Sequence, residues 1–349
     1  MYLDRSKILS YNASLNFIVL KRGYGKSYTF KDYAIQQFLK DGSQTMWVRR
    51  YKTDLYGDNG TITKFFDDIA CKYPNHKFEC KGSTGYIDGK KAIIFLPLST
   101  AQSKKSVPYP NVVMVVFDEF IIDNSTIRYL PNECGAFAGL LSTVFRDRPL
   151  KAFLLGNKVK QVTPYNIYFN LPDFNKNQYI KERKTLVYTI DGDNVVEKNY
   201  AKSDIEKILQ GTPYYDYALK NNTLNDNTQF IEKRPKNLQT SFIINVDGTD
   251  VGVFFSSENS KIYFDLRCDT TINKKYCFDK TNLAKSYFLF SKNMPLAKLL
   301  KDMYINGRIY FNDIRTKTII FNFIGCNTFF QFYISLIIIK HWNATITWS

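Results

Sequence analysis

The sequence predicts an α/β fold: an N-terminal domain on a mostly parallel sheet, a helical linker, and a smaller C-terminal α+β domain. Three observations carry it. Short runs that are apolar at consecutive positions, each too short for a core helix, alternate with helical or polar stretches through the first half of the chain. A strand, a glycine-containing turn and a helix start follow one another in LNFIVLKRGYGKSY, residues 15–28. Beyond residue 190 the composition turns polar, and strand-like runs then resume around Asp247-Gly248, a dipeptide suited to a tight hairpin.

The strand candidates in order are LNFIVL (15–20), MWVRR (46–50), AIIFLPL (92–98), VVMVVF (112–117), AFLLGN (152–157) and TLVYTI (185–190). Two helices fit between them. Phe30, Ala34 and Phe38, with Ile35 and Leu39, form an apolar face at helical spacing that Gly42 stops. Phe137, Leu140, Leu141, Val144 and Phe145 form a second, halted near Pro149. SFIINVDGTDVGVFF and KIYFDLRC supply a hairpin and a third strand further on. The expected organisation is a first domain over 1–190, a helical linker over 191–227 and a second domain over 228–349. The apolar segment TIIFNFIGCNTFFQFYISLIII (318–339) is interrupted by Asn322, Asn327 and Gln331. It reads as two buried strands, or a strand and a helix, rather than a membrane span.

The chain has 48 Lys and Arg against 32 Asp and Glu, a formal charge of +16, which favours an anionic macromolecular partner. Its six cysteines are scattered without CxxC spacing and its two histidines are far apart, so a zinc site and a disulfide framework are not expected. The start MYLDRSKILSYN lacks the apolar core of a secretory signal, and the expected location is intracellular.

The chemistry concentrates in two motifs. In RGYGKSY, Gly23 and Gly25 let backbone N–H groups turn toward an anion, the following helix adds its dipole, and Lys26 can reach outer phosphates. Ser27 is placed to ligate Mg²⁺. The candidate nucleotide-binding residues are therefore Arg22, Gly23, Tyr24, Gly25, Lys26 and Ser27, although Leu20 stands where the standard phosphate-binding pattern has its first glycine. In VVMVVFDEF, Asp118 and Glu119 sit at the carboxyl end of a buried strand, where open α/β sheets bind ligands. Asp118 is expected to hold the Mg²⁺ shell and Glu119 to polarise the attacking water, so nucleoside-triphosphate hydrolysis is the expected chemistry. Asn157, ending the next strand, is a further nucleotide-binding candidate that senses the γ-phosphate or orients that water, or else simply caps the following turn. Arg146 and Arg148 either complement a helix C-terminus or serve a neighbouring subunit as an arginine finger. Lys104 and Lys105 lie in a loop that is either solvated or touches phosphate.

With these residues in view, the chain resembles the DNA-packaging (encapsidation) ATPases of phi-twenty-nine-like short-tailed phages, which are terminase-like genome-packaging motors. RGYGKSY, VRRYK, YIDGK, LPLS with QSKKSVPYPNV, VFDEF, YLPNE, TVFRDR and FIEKRPK occur in the family's order. The family also uses a loop lacking the first glycine. The resemblance runs through about residue 235 and more loosely to about 313, and the apolar tail after Thr316 departs from it. It implies a P-loop ATPase domain of the additional-strand, catalytic-glutamate type, and a C-terminal domain like an RNase H-like nuclease that has lost activity. It also implies a homomeric ring, pentameric in the family, acting on double-stranded DNA in the host cytoplasm, at the capsid portal with a packaging RNA between. In that setting Arg146 matches a trans-acting arginine finger and Lys105 a second basic residue acting across the subunit interface.

In the C-terminal domain Asp247, Asp265 and Asp269 do not assemble into a metal cluster by position, and FIEKRPK with NKK (273–275) reads better as a nucleic-acid contact. The motor competes with a ring helicase on single strands and with a non-catalytic, nucleotide-dependent nucleic-acid-binding module. A membrane-attached pump component is a third rival, raised by the tail.

Overall fold

Alternating short apolar strands and amphipathic helices, as the first half of this sequence supplies, bury both faces of a sheet only if the helices lie on either side of it. In the computed structural model the described residues are 3–57, 60–104, 107–122, 129–159, 162–174, 177–190, 230–277, 286–291 and 294–326, the side chains of 102–104, 305 and 322–326 left aside. The chain forms two units, Met1–Asn225 and Asp226–Ser349. The expected helical linker lies outside the described residues.

Unit 1 runs α1 (Ser6–Ser10), β1 (Leu15–Leu20), α2 (Lys26–Asp41), β2 (Gln44–Arg49), α3 (Lys52–Leu55), β3 (Phe78–Lys81), β4 (Thr84–Ile87), β5 (Lys90–Pro97), β6 (Val112–Asp118), α4 (Glu133–Phe145), β7 (Ala152–Asn157), α5 (Pro164–Tyr168), β8 (Gln178–Ile180) and β9 (Thr185–Tyr188). Among the described residues these strands form one nine-stranded sheet ordered β3-β4-β5-β2-β6-β7-β1-β9-β8. The central six, from β5 to β9, pair in parallel. All six coincide with apolar runs of the sequence. The flanking β3, β4 and β8 pair antiparallel. Their half-exposed residues, such as FECK in β3 and QYI in β8, carry no continuous apolar signal, which is why periodicity missed them.

Side chains of β1 alternate between two cores, Phe17 and Val19 into one, Ile18 and Leu20 into the other. The first core takes Phe137, Leu140, Leu141, Val144 and Phe145 from α4; the second takes Phe30, Ala34, Ile35 and Phe38 from α2. The two helices thus cover opposite faces of the sheet. Leu39, read from spacing as part of the buried face, is 37% exposed. Gly42 stops α2 at φ 76°, and its N–H closes on the Phe38 carbonyl.

Unit 2 comprises β10 (Phe242–Val246), β11 (Thr249–Ser256), β12 (Lys261–Asp265), β13 (Lys275–Cys277), β14 (Phe288–Leu289), α6 (Pro295–Ile305), β15 (Ile309–Phe311) and α7 (Ile314–Cys326). Asp247 and Gly248, both at positive φ, make the two-residue turn between β10 and β11. The sheet order is β14-β13-β10-β11-β12-β15, with β10, β11 and β12 antiparallel and the remaining pairings parallel.

The start of the apolar tail is helical, which excludes two strands and leaves the alternative of a strand and a helix. The Asp313 carboxylate accepts from the backbone N–H and hydroxyl of Thr316 (2.8 and 2.9 Å), a cap that outweighs the β-branched residues behind it. Ile319 and Ile320 are buried on α7, which extends to Cys326, and the tail after Cys326 lies outside the described residues. Among the described residues no helix is long and apolar enough to cross a membrane.

Candidate nucleotide-binding and hydrolysis site

Three parallel strands end at one edge of the unit 1 sheet, Asp118 of β6 in register with Leu155 of β7, and Asn157 of β7 with Leu20 of β1. Over that edge lies a cleft of about 300 Å³ lined by Arg22, Lys26, Ser27, Asp118, Glu119 and Asn157, with Gly23 and Gly25 in its floor. Gly23 (φ 83°) and Gly25 (φ 65°) hold left-handed backbone that an L side chain resists, and Gly25 caps α2. The N-terminal N–H groups and positive dipole end of α2 therefore face the cleft. Tyr24 belongs to the turn through its backbone only: its side chain is buried in the α2 core, and its carbonyl accepts from the Leu3 N–H at 3.0 Å.

Lys26 is buried, and its ammonium donates to the carbonyls of Leu20 (3.0 Å) and Lys21 (2.9 Å) and to Asn157 Oδ1 (2.9 Å). Asn157 thus joins the phosphate-binding candidate directly. The Ser27 hydroxyl donates to Asp118 Oδ1 at 2.9 Å, across the intervening strand β7. A hydroxyl and a carboxylate placed side by side are the hard oxygen donors that suit Mg²⁺.

Glu119 leaves the strand at φ 59°. Successive strand residues point to opposite faces of a sheet. The left-handed step breaks that alternation and brings Glu119 onto the same cleft as Asp118. Gly156 leaves room for the residues after this step, since a Cβ there would come within 2.8 Å of the Phe120 side chain and 2.7 Å of that of Ile121.

Sequence reasoning missed the residues that hold these acids. Arg49, last in β2, reaches Glu119 Oε2 at 2.6 Å and Asp118 Oδ2 at 3.6 Å. Arg50 is buried and makes a two-pronged ion pair with Glu133, Nε to Oε2 at 2.7 Å and Nη2 to Oε1 at 3.1 Å. It also donates to the carbonyls of Glu119 (3.2 Å) and Phe120 (2.6 Å). Glu133 accepts in addition from the Tyr165 hydroxyl (2.7 Å) and the Leu130 N–H (2.9 Å). Burial pushes the Arg50 guanidinium toward deprotonation, but the carboxylate of Glu133 more than restores its charge. Burial, reinforced by Glu133, drives the Tyr165 phenol far above its usual range, so it serves as a donor. The available signal was the pair Arg49-Arg50 itself, two cations at the carboxyl end of a buried strand.

Arg146 is not brought to this cleft. It follows α4 at φ 49°, exposed, and among the described residues its guanidinium has no hydrogen-bonding or ion-pair partner. Arg148, two residues on, donates to the carbonyls of Tyr109 (2.8 Å), Pro110 (2.7 Å) and Val112 (2.9 Å), and to that of Val144. Those partners mark the amino end of β6. At roughly 3.3 Å per residue, the 7 residues of β6 put about 20 Å between this edge and Asp118. Lys105 lies outside the described residues, as does the Lys104 side chain.

In unit 2, Arg234 of the FIEKRPK segment is committed internally, 4.0 Å over the Phe254 ring and bonded to Asp265 and to the Pro235 and Leu238 carbonyls. Lys233, Lys236 and Lys274 remain exposed. Among the described residues no group of three or more His, Cys, Asp or Glu is placed to hold a metal ion.

A family model described as podovirus DNA encapsidation protein (Gp16) matches residues 1–328. The DNA packaging protein of Bacillus phage phi29 is 35% identical over 317 residues, covering 90% of this chain and 94% of the relative. That of Bacillus phage B103 is 36% identical over 319 residues, covering 89% and 97%. Among solved structures, the bacteriophage Phi-29 viral genome packaging motor assembly aligns at 34% identity and a TM-score of 0.68, covering 93% of this chain and 99% of that one. The N-terminal domain of the DNA packaging ATPase from bacteriophage phi29 aligns at 42% identity and a TM-score of 0.51, covering 56% of this chain and 98% of that domain. With a likeness that extends over nearly the whole chain and over the cleft just described, the protein belongs to the podovirus DNA encapsidation family.

Proposed function

We propose that this chain is the ATP-hydrolysing subunit of a motor that drives double-stranded viral DNA into a preformed capsid. The observation that carries the enzymatic reading is the Ser27 to Asp118 hydrogen bond of 2.9 Å, which joins the phosphate-binding turn to the acidic strand end, with Lys26 and Glu119 beside it. We assign unit 1 to the P-loop ATPases with a catalytic glutamate. The turn from Arg22 to Ser27 cradles the phosphates of ATP, Lys26 neutralises the outer ones, and Asn157 holds the Lys26 ammonium. Ser27 and Asp118 hold Mg²⁺, which when bound offsets charge on the phosphate oxygens. Glu119 accepts the proton of the attacking water as its oxygen bonds to the γ-phosphorus and the bond to the β-phosphate oxygen breaks, giving ADP and phosphate. Glu119 Oε2 is held by Arg49 at 2.6 Å, and turning it toward the attacking water exchanges that partner for the water.

Arg146 lies at the opposite sheet edge from its own cleft, which favours action on a neighbouring subunit's nucleotide. That reading makes the working unit a homomeric ring, as the family resemblance implies; we extend to it the pentamer, the packaging RNA, the portal and the host cytoplasm, with Lys105 as a second trans-acting residue. The unit 2 sheet, three antiparallel strands with parallel strands joined at both edges, supports an RNase H-like assignment. The exposed Lys233, Lys236 and Lys274 are its candidate phosphate contacts, giving translocation largely independent of sequence. We set the domain boundaries at 1–190, 191–227 and 228–349.

The test is steady-state ATP hydrolysis against protein concentration, with and without double-stranded DNA. A specific activity that rises with concentration and with DNA is expected for an assembled ring. Hydrolysis absent at every concentration and indifferent to DNA would favour the non-catalytic binding module instead.

A further inference from the structure

None of the buried Arg50, Glu133 and Tyr165 lines the cleft, yet Arg50 bonds to the main chain of Glu119, the residue on which hydrolysis depends. Buried ion pairs contribute little net stability over apolar groups of the same size, so stability alone does not account for this one. Its geometry does. Arg50 donates to the Glu119 and Phe120 carbonyls, the first two after the torsion at which Glu119 takes φ 59°. The Phe120 N–H is held from the other side by the Leu155 carbonyl at 3.1 Å. Left-handed backbone is unfavourable for a non-glycine residue and persists only where its surroundings enforce it. If Glu119 relaxed to extended backbone, strand alternation would swing its side chain off the face shared by Ser27 and Asp118.

We propose that Arg50, fixed by Glu133 and Tyr165, is a positioning residue for hydrolysis, pinning the Glu119 and Phe120 carbonyls just beyond the bend so that the Glu119 side chain stays over the phosphate cleft. The two adjacent arginines hold different parts of the same residue, since Arg49 engages the side chain of Glu119 and Arg50 its main chain. Because α4 begins at Glu133, the same cluster anchors the amino end of the helix whose other end carries Arg146. The proposal rests on Glu119 being the catalytic base.

The experiment uses the full chain with double-stranded DNA and compares kcat, KM, the Kd of a fluorescent non-hydrolysable ATP analogue, and the thermal midpoint. The main variant is Arg50→Met with Glu133→Gln, which removes both charges while leaving the Leu130 N–H and the Tyr165 hydroxyl a partner at position 133. Expected is a fall in kcat of roughly 100-fold, the scale of a small misplacement of a reacting group, with KM and Kd within about threefold of wild type. Combining it with Glu119→Gln should then add no further loss to that of Glu119→Gln alone, as for residues acting through one group. A folded variant whose kcat stays within about threefold of wild type overturns the proposal, and so does a loss that multiplies with that of Glu119→Gln. If the paired variant does not fold, Tyr165→Phe decides: roughly a tenfold fall in kcat at unchanged Kd is expected, and an unchanged kcat overturns the proposal. Hydrolysis that survives Glu119→Gln would instead overturn the catalytic reading beneath it.

Discussion

At the scale of single residues, the cleft separates binding from chemistry. Lys26 lies against the floor of the turn, held to two of its carbonyls and to Asn157, whereas Glu119 stands above it with a side chain 61% exposed. Substitutions should separate the same way. Lys26→Ala is expected to abolish high-affinity nucleotide binding, because among the described residues no other ammonium lines the cleft. Glu119→Gln keeps shape and size but loses the base, and should lower kcat by about 10²- to 10⁴-fold while the analogue's Kd stays near wild type. Parallel titration and turnover measurements check both, and a Glu119→Gln variant that binds ATP weakly would assign this residue to binding instead.

The supporting elements explain why the phosphate turn is held so firmly. Asp32 of α2 is buried and accepts from Arg5 (2.9 Å), Lys72 (2.6 Å), Tyr73 (2.7 Å) and Gln36 (2.9 Å), tying the N-terminal segment and a distant 3₁₀ turn to the helix that begins at the cleft. Thr29 adds a bond to the Leu3 carbonyl at 3.2 Å. Burial pushes the Asp32 carboxyl up, but the hydrogen bonds from Lys72, Tyr73 and Arg5 outweigh it and leave its pKa below the usual 3.8. A depressed native pKa means that this stabilisation is fully present above the unfolded value and is lost as pH falls through the lower native one. Asp32→Asn should therefore cost about 1–2 kcal/mol at neutral pH, since Arg5 and Lys72 keep solvent contact when the charge is lost, and it should flatten the dependence of stability on pH below about 4. Urea denaturation at pH 7 and at acid pH measures both effects; an Asn variant with the wild-type acid profile would show that Asp32 is not the group titrating.

For the whole molecule, the distance across the sheet matters most. Arg146 sits on the far side of the sheet from its own acids, beyond the reach of an arginine side chain, while Arg148 locks the turn that presents it. If Arg146 serves a neighbour, two inactive variants should rescue one another. Mixed rings of Arg146→Ala and Glu119→Gln subunits contain interfaces with an intact Glu119 on one side and an intact Arg146 on the other. Mixing is expected to restore part of the wild-type hydrolysis rate, with a maximum at intermediate ratios. Activity that never exceeds the weighted sum of the two separate variants would argue against a trans-acting arginine.

Much of this was legible in the residues themselves. The six central strands announced themselves as continuous apolar runs, because strands buried on both faces leave no room for polar alternation. The phosphate turn and the two acids were legible because glycines, a lysine and carboxylates at strand ends are the chemistry of that edge. The exposed edge strands were not, since half-polar segments carry no period strong enough to read. In the apolar tail, composition left two strands or a strand and a helix open, and the helix at its start is capped by Asp313. What only the tertiary structure decided was which distant residues meet: Ser27 with Asp118, Lys26 with Asn157, Arg49 with Glu119, and Arg50 with Glu133. A parallel sheet brings residues far apart in sequence to one edge through its strand order, and that order is a property of how the strands pack rather than of any one of them.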